Sequence, residues 1–317
     1  MENNQIYEEK KIDIDLNQSD TDNKRLLNRL GLALSLMAAA ILFSQFILGS
    51  ILKIYFPGSE KEQWYTWTLT GVSVVLVGLP TFYGVTRKIP VSAPKQIQKL
   101  RLSQFIVIFL ICAAAMYVTN YISVFINFMI AIIKGDNLLN PALDAIYAGN
   151  FWITLLYTGI VAPIVEELIF RKILLDRVRK FGDLPAILLT GIAFGLFHMN
   201  LAQILYATAL GIIFAYVTIK TNTVRYSILL HVMINVIGAT IAPLAVKAEN
   251  LLYIVILMIW VFGSIAAGVT LLIVNRKKIT LEQGEIVVGK KSIYILNAGT
   301  ILFILISFSM TLSLILA

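Results

Sequence analysis

Polar and apolar positions in this chain fall into long blocks. After a polar stretch over residues 1–29, apolar runs occupy about 30–54, 64–86, 103–133, 149–175, 184–199, 201–219, 224–246, 251–274 and 293–317. Each is long enough, or nearly so, to cross about 30 Å of hydrocarbon at about 1.5 Å of rise per helical residue. A membrane β-barrel would instead need short segments of alternating hydrophobicity, and these runs are continuous. The pattern predicts an all-α fold, a polytopic transmembrane helical bundle of about 8–9 spans. The fifth run is short, and Met199-Asn200-Leu201 links it tightly to the sixth. Those two are expected as a helical hairpin or a partly re-entrant pair.

Charge sets the expected orientation. With the N-terminus inside, 22 of the 26 Lys and Arg residues fall in inner segments, and only Lys53, Lys61, Lys134 and Lys247 fall outside. Nine spans reproduce this alternation, which gives a cytoplasmic N-terminus and an outer C-terminus. Residues 1–29 carry Glu2, Glu8, Glu9, Asp13, Asp15, Asp20 and Asp22, followed by anchoring Lys24, Arg25 and Arg29. They are expected to form a disordered cytoplasmic tail without a cleavable secretory signal. Residues 30–317 then form one transmembrane domain, and the polar stretch 276–292 reads as a cytoplasmic loop. Pro80, Pro163, Pro185 and Pro243 lie in or at the ends of spans. Pro163 frees a backbone carbonyl and can kink its helix just before the acids described below.

Composition agrees with a lipid-embedded chain: 58% of residues are hydrophobic, 14% are charged and the mean hydropathy is +0.83. A soluble domain carries about 25% charge. The net charge of +8 does not indicate nucleic acid, because the basic residues flank apolar runs instead of forming a separate patch. A single cysteine, Cys112, excludes a disulfide framework and cysteine-ligated zinc.

Against this background one stretch stands out, Val165-Glu166-Glu167-Leu168-Ile169-Phe170-Arg171, preceded by an uncharged run from Phe151. Every other Asp and Glu lies in the tail, in a connecting segment or at the edge of one. Ionisable residues at membrane depth are costly and mark functional sites by default. Glu167 and Arg171 are four apart with the acid first, the favourable order for an ion pair. Glu166 is turned away by about 100° and is free to act as a base. The alternative is that both acids pair with basic residues at the membrane boundary. The only histidines, His198 and His231, lie inside later apolar runs. Phe194 sits four residues before His198, where an aromatic ring can shield or orient the imidazole. His231 and Asn235 are also four apart, a plausible oxyanion-binding pair. Taken singly, each of these histidines is more often interhelical glue.

In combination the three patterns are far more specific. E-E-x-x-x-R (Glu166, Glu167, Arg171), F-x-x-x-H (Phe194, His198) and H-x-x-x-N (His231, Asn235) fall in this order on separate spans. This resembles the CPBP family of intramembrane proteases, which includes the type II CAAX prenyl endopeptidases and the bacterial Abi or bacteriocin-processing proteins. The resemblance covers about 150–240 and implies an active site between the fourth, fifth and seventh helices. It implies peptide-bond hydrolysis in which Glu166 and His198 activate a water and His231 and Asn235 stabilise the oxyanion. Glu167, Arg171 and Phe194 would support the site. Glu166, His198 and His231 match a catalytic zinc set in type, but H-E-x-x-H is missing and three helices would have to supply the ligands. The resemblance to the prenyl endopeptidases implies no cofactor, with zinc as the alternative. The partners implied are a peptide or membrane-protein substrate and the lipid bilayer, with no nucleic acid. A catalytically silent binding or immunity protein and a proton-coupled transporter remain the rival functions. No inverted repeat supports the transporter.

Overall fold

A computed structural model describes the backbone of residues 2–93, 95–135, 146, 150–286 and 290–316, and the side chains of these from residue 19 on, Lys61 excepted. Among the described residues the long helices are α1 (Glu2–Tyr55), α2 (Gln63–Thr86), α3 (Leu102–Lys134), α4 (Phe151–Phe181), α5 (Asp183–Phe197), α6 (Leu201–Thr221), α7 (Arg225–Lys247), α8 (Leu251–Lys278) and α9 (Ala298–Leu316). The chain is a polytopic helical bundle. All of these except α5 are long and apolar enough to cross a membrane, which makes eight; α5 has 15 residues.

Several helices widen where the sequence forces them to. Ser73–Gly78, Leu155–Val161 and Val236–Ile241 are π-helical, and each is followed two residues later by a proline, Pro80, Pro163 or Pro243. A proline lacks the N–H for the ordinary helical bond and its ring crowds the carbonyl four residues back. A wider turn relieves both problems. A fourth π-helical stretch, Leu168–Leu174, has no proline and directly follows the two glutamates.

Close helix pairs are built on glycine. In α5 and α6 a Cβ on Gly195 would sit 1.9 Å from Thr208 Oγ1, and one on Gly191 would sit 2.9 Å from Ile212 N. As numbers rise along α5 they fall along α6, so the two form an antiparallel hairpin. Met199 turns the chain with φ 49°, and Asn200 caps α6 by accepting from Ala202 N at 3.0 Å. This is the expected hairpin.

α1 and α9 behave oppositely. Asp20 accepts from Lys290 N at 2.9 Å, Asn28 accepts from Gly299 N at 2.7 Å, and Ala38–Gln45 and Met310–Leu314 line one cavity. The numbers rise together, so α1 and α9 are parallel. A first and a last helix that are parallel need an odd number of passes through the bundle, and the short α5 supplies the ninth. The same contacts correct one expectation. The disorder expected over residues 1–29 gives way to helix over residues 19–29, with Asp20, Asn23 and Leu27 buried. Asp20, which looks solvated in the sequence, finds a backbone N–H partner just before α9. The side chains of residues 1–18 lie outside the described residues.

The basic connecting segments meet at one end of the bundle. Ser92 N donates to Asp176 O, Gln98 N to Thr221 O, Arg177 Nε to Thr86 O and Arg179 Nη2 to Ile219 O, all at 2.9–3.1 Å. Residues 282–286 strap the same end: Asp183 N donates to Glu282 O and Ile286 N to Lys180 O. Gly182, at φ 103°, lets this strap approach, since a Cβ there would meet Gly284 N at 2.7 Å. Two apolar clusters fill the interior. One spans α1, α2, α4, α5, α6 and α9, the other α3, α6, α7 and α8, and α6 lies in the seam.

Candidate active site

Four helices bring the motif residues to that seam. α4 supplies Glu166, Glu167 and Arg171; α5 supplies Phe194 and leads into His198; α7 supplies His231 and Asn235; α6 closes the back with Phe214.

Glu167 and Arg171 form the buried foundation. Neither side chain has any exposed surface, and Arg171 Nη1 lies 3.2 Å from Glu167 Oε1. Arg171 Nη2 donates to Gly211 O at 3.3 Å, and its guanidinium lies 4.4 Å from the Phe194 ring centre and 5.5 Å from that of Phe214. A planar cation between aromatic faces is how a buried arginine recovers part of its lost hydration. Glu167 Oε1 also accepts from His231 Nδ1 at 3.1 Å. One carboxylate therefore orients both the arginine and the histidine.

That anchoring turns His231 Nε2 the other way, to 3.6 Å from Glu166 Oε2. The His231 ring is tilted 33° to Phe214, with centres 5.0 Å apart, and meets the edge of Phe194 at 5.6 Å. Glu166 keeps 15% of its side chain exposed, in contrast to the enclosed Glu167. The adjacent acids thus occupy different environments, one inside the protein and one at a cavity wall.

His198 lies at the end of α5, with its Nδ1 2.9 Å from Phe194 O. A carbonyl only accepts, so Nδ1 carries the proton and Nε2 is left available. The ring also stands edge-on to Phe194 at 4.9 Å. Asn235 donates from Nδ2 to Thr158 O at 3.0 Å, which leaves its second N–H unclaimed by that bond. Glu166, His198, His231 and Asn235 all line one cavity of about 400 Å³.

Among the described residues, no group of three or more His, Cys, Asp or Glu comes together in a way that could hold a metal ion. The zinc set of Glu166, His198 and His231 is therefore not assembled as a ligand group here. His231 uses Nδ1 on Glu167 and His198 uses Nδ1 on a backbone carbonyl, bonds that leave Nε2 of each ring untaken.

The cavity also contains residues that the sequence reading did not single out: Gln45, Trp67, Tyr157, Gln203 and Tyr206. Gln45 and Gln203 were open to detection as uncharged polar residues inside apolar runs. Phe214 and Gly211 carried no such signal, because aromatic and small residues are ordinary in membrane helices.

Residues 148–237 match the family model described as type II CAAX prenyl endopeptidase Rce1-like. Through this segment the chain is similar to the type II CAAX prenyl endopeptidases. The matched segment carries all seven motif residues. A stretch of 94 residues is 36% identical to a protein of Bacillus subtilis (strain 168) named "Putative membrane peptidase YdiL". That stretch is 29% of this chain and 38% of the relative, so the chain spans well under half of the relative's length. No solved structure matches the chain.

Proposed function

We propose that this integral membrane protein is an endopeptidase that hydrolyses a peptide bond within the bilayer, with residues 150–240 as its catalytic core. The observation that carries this reading is the pairing of Glu166, beside the cavity, with a His231 already oriented by Glu167. The family match and the similarity to a protein named as a membrane peptidase support it.

In this reading a water is held between the Glu166 carboxylate and His198 Nε2. Glu166 takes a proton as the water oxygen adds to the scissile carbonyl carbon. His231, held at Nδ1 by Glu167, faces the oxyanion, and the second N–H of Asn235 joins it there. Glu166 returns its proton to the leaving nitrogen, the C–N bond breaks, and the acid and amine formed exchange the water's second proton to leave as a carboxylate and an ammonium group. The substrate in this proposal is a peptide or a membrane protein. The basic end of the bundle is placed in the cytoplasm of a bacterial cell, with the C-terminal end of α9 outside.

Glu166→Gln keeps size and hydrogen bonding but removes the base. Terminal-peptide proteomics of membranes carrying wild-type or variant protein is expected to show a defined new terminus that disappears with Glu166→Gln and with His198→Ala. The same termini in all three samples, with the protein's cellular effect intact, would assign the motifs to a silent binding role instead.

A further inference from the structure

We infer that the polypeptide cleaved at this site enters from the non-cytoplasmic side, as an extended segment already exposed on that face of the membrane. The inference rests on the peptidase reading for what enters, and on the geometry of the cavity for the direction. The upper walls of the cavity are Gln45 of α1, Thr66 and Thr70 of α2, Tyr157 of α4, Gln203 of α6 and Leu314 of α9. Each lies in the half of its helix farther from the basic segments. No described lining residue comes from 87–101, 171–183, 219–226 or 276–297, the segments that gather at the basic end.

That end is also plugged. Ile169, Phe170, Arg171 and Phe214 are fully buried beneath the glutamates, with the Glu167–Arg171 pair among them. A peptide coming from the basic side would have to displace a buried ion pair and its aromatic packing, whereas the described residues of the opposite helix halves line the cavity itself.

Depth agrees with direction. α5 starts at the basic end at Asp183, tied to the strap, and its 15 residues rise about 22 Å before His198. In a hydrocarbon layer of about 30 Å His198 therefore lies nearer the opposite surface. An extended chain advances about 3.3 Å per residue, so a few residues suffice to reach it. The hydroxyls and carboxamides of Thr66, Thr70, Gln45 and Gln203 on an otherwise apolar wall suit the alternating N–H and C=O groups of such a segment.

Cysteine accessibility tests this without turnover. In a Cys112→Ala background, Gln45→Cys and Thr66→Cys report the cavity mouth and Lys99→Cys the basic end. Each is treated with a membrane-impermeant maleimide in intact cells and in inside-out vesicles, against the total thiol after denaturation. Gln45→Cys and Thr66→Cys are expected to reach at least half of the denatured total in intact cells. Lys99→Cys is expected to stay at background there and to react in inverted vesicles. Reaction of both mouth cysteines only in inverted vesicles, or from neither side, overturns the inference, as does labelling of Lys99→Cys in intact cells. Adding Glu166→Gln leaves the expected labelling unchanged. Loss of the peptidase reading in the proteomic comparison and loss of the access direction here are thus separate results.

Discussion

At the scale of single residues, the site depends on one carboxylate serving two partners. Glu167 is wholly buried and holds both Arg171 and His231. Removing the arginine leaves an unpaired buried charge, a loss of about 3–5 kcal/mol. Arg171→Met is expected to lower the thermal midpoint of the purified protein in detergent and to abolish cleavage. Glu167→Gln combined with Arg171→Met should recover part of the stability but not the activity, because a neutral amide holds the His231 N–H more weakly than the carboxylate does. A double-mutant cycle on melting temperature separates these effects. On the metal-free reading a chelator is expected to leave the cleavage rate of purified protein unchanged, with no stoichiometric zinc by elemental analysis. Stoichiometric zinc together with chelator-sensitive cleavage would replace the metal-free mechanism.

At the scale of elements, the hairpin of α5 and α6 positions His198. Its closeness depends on Gly195, where a Cβ would overlap Thr208 and approach Ile204 O to 2.8 Å. Gly195→Leu is expected to force the two helices apart, displace His198 and cut cleavage by at least about tenfold, the equivalent of about 1.4 kcal/mol in the barrier. Gly84→Leu, at a position with nothing within 4 Å of the added Cβ, is the control and should cleave at the wild-type rate. Turnover measured on equal amounts of folded protein distinguishes the two. The π-helical turns act at the same scale. Those before Pro163 and Pro243 flank the site on α4 and α7, and each resets which side chains face inward after it.

At the scale of the whole molecule, the parallel packing of α1 and α9 fixes an odd number of passes, even though only eight helices have full spanning length. A reporter fused after Leu316 is therefore expected on the outer face, and an epitope inserted into the exposed 279–281 stretch on the cytoplasmic face. Cytoplasmic activity of the Leu316 fusion would mean that α5 does not count as a crossing. The same packing gives residues 19–29 a structural task, since Asp20 and Asn28 hold the backbone around the start of α9.

Much of this was written in the sequence itself. The helical class, the run boundaries, the Glu167–Arg171 spacing and the three motifs follow from local periodicity and from the cost of ionisable groups in hydrocarbon. Those signals depend only on neighbours in the chain. What lies far apart in the chain was decided by tertiary packing: Phe214 against His231, Gly211 O on Arg171, Thr158 O on Asn235, and helix in place of disorder at residues 19–29. Which of the two glutamates is enclosed and which faces the cavity was suggested by a rotation of about 100° on one helix, but only the surrounding helices give that rotation an inside and an outside.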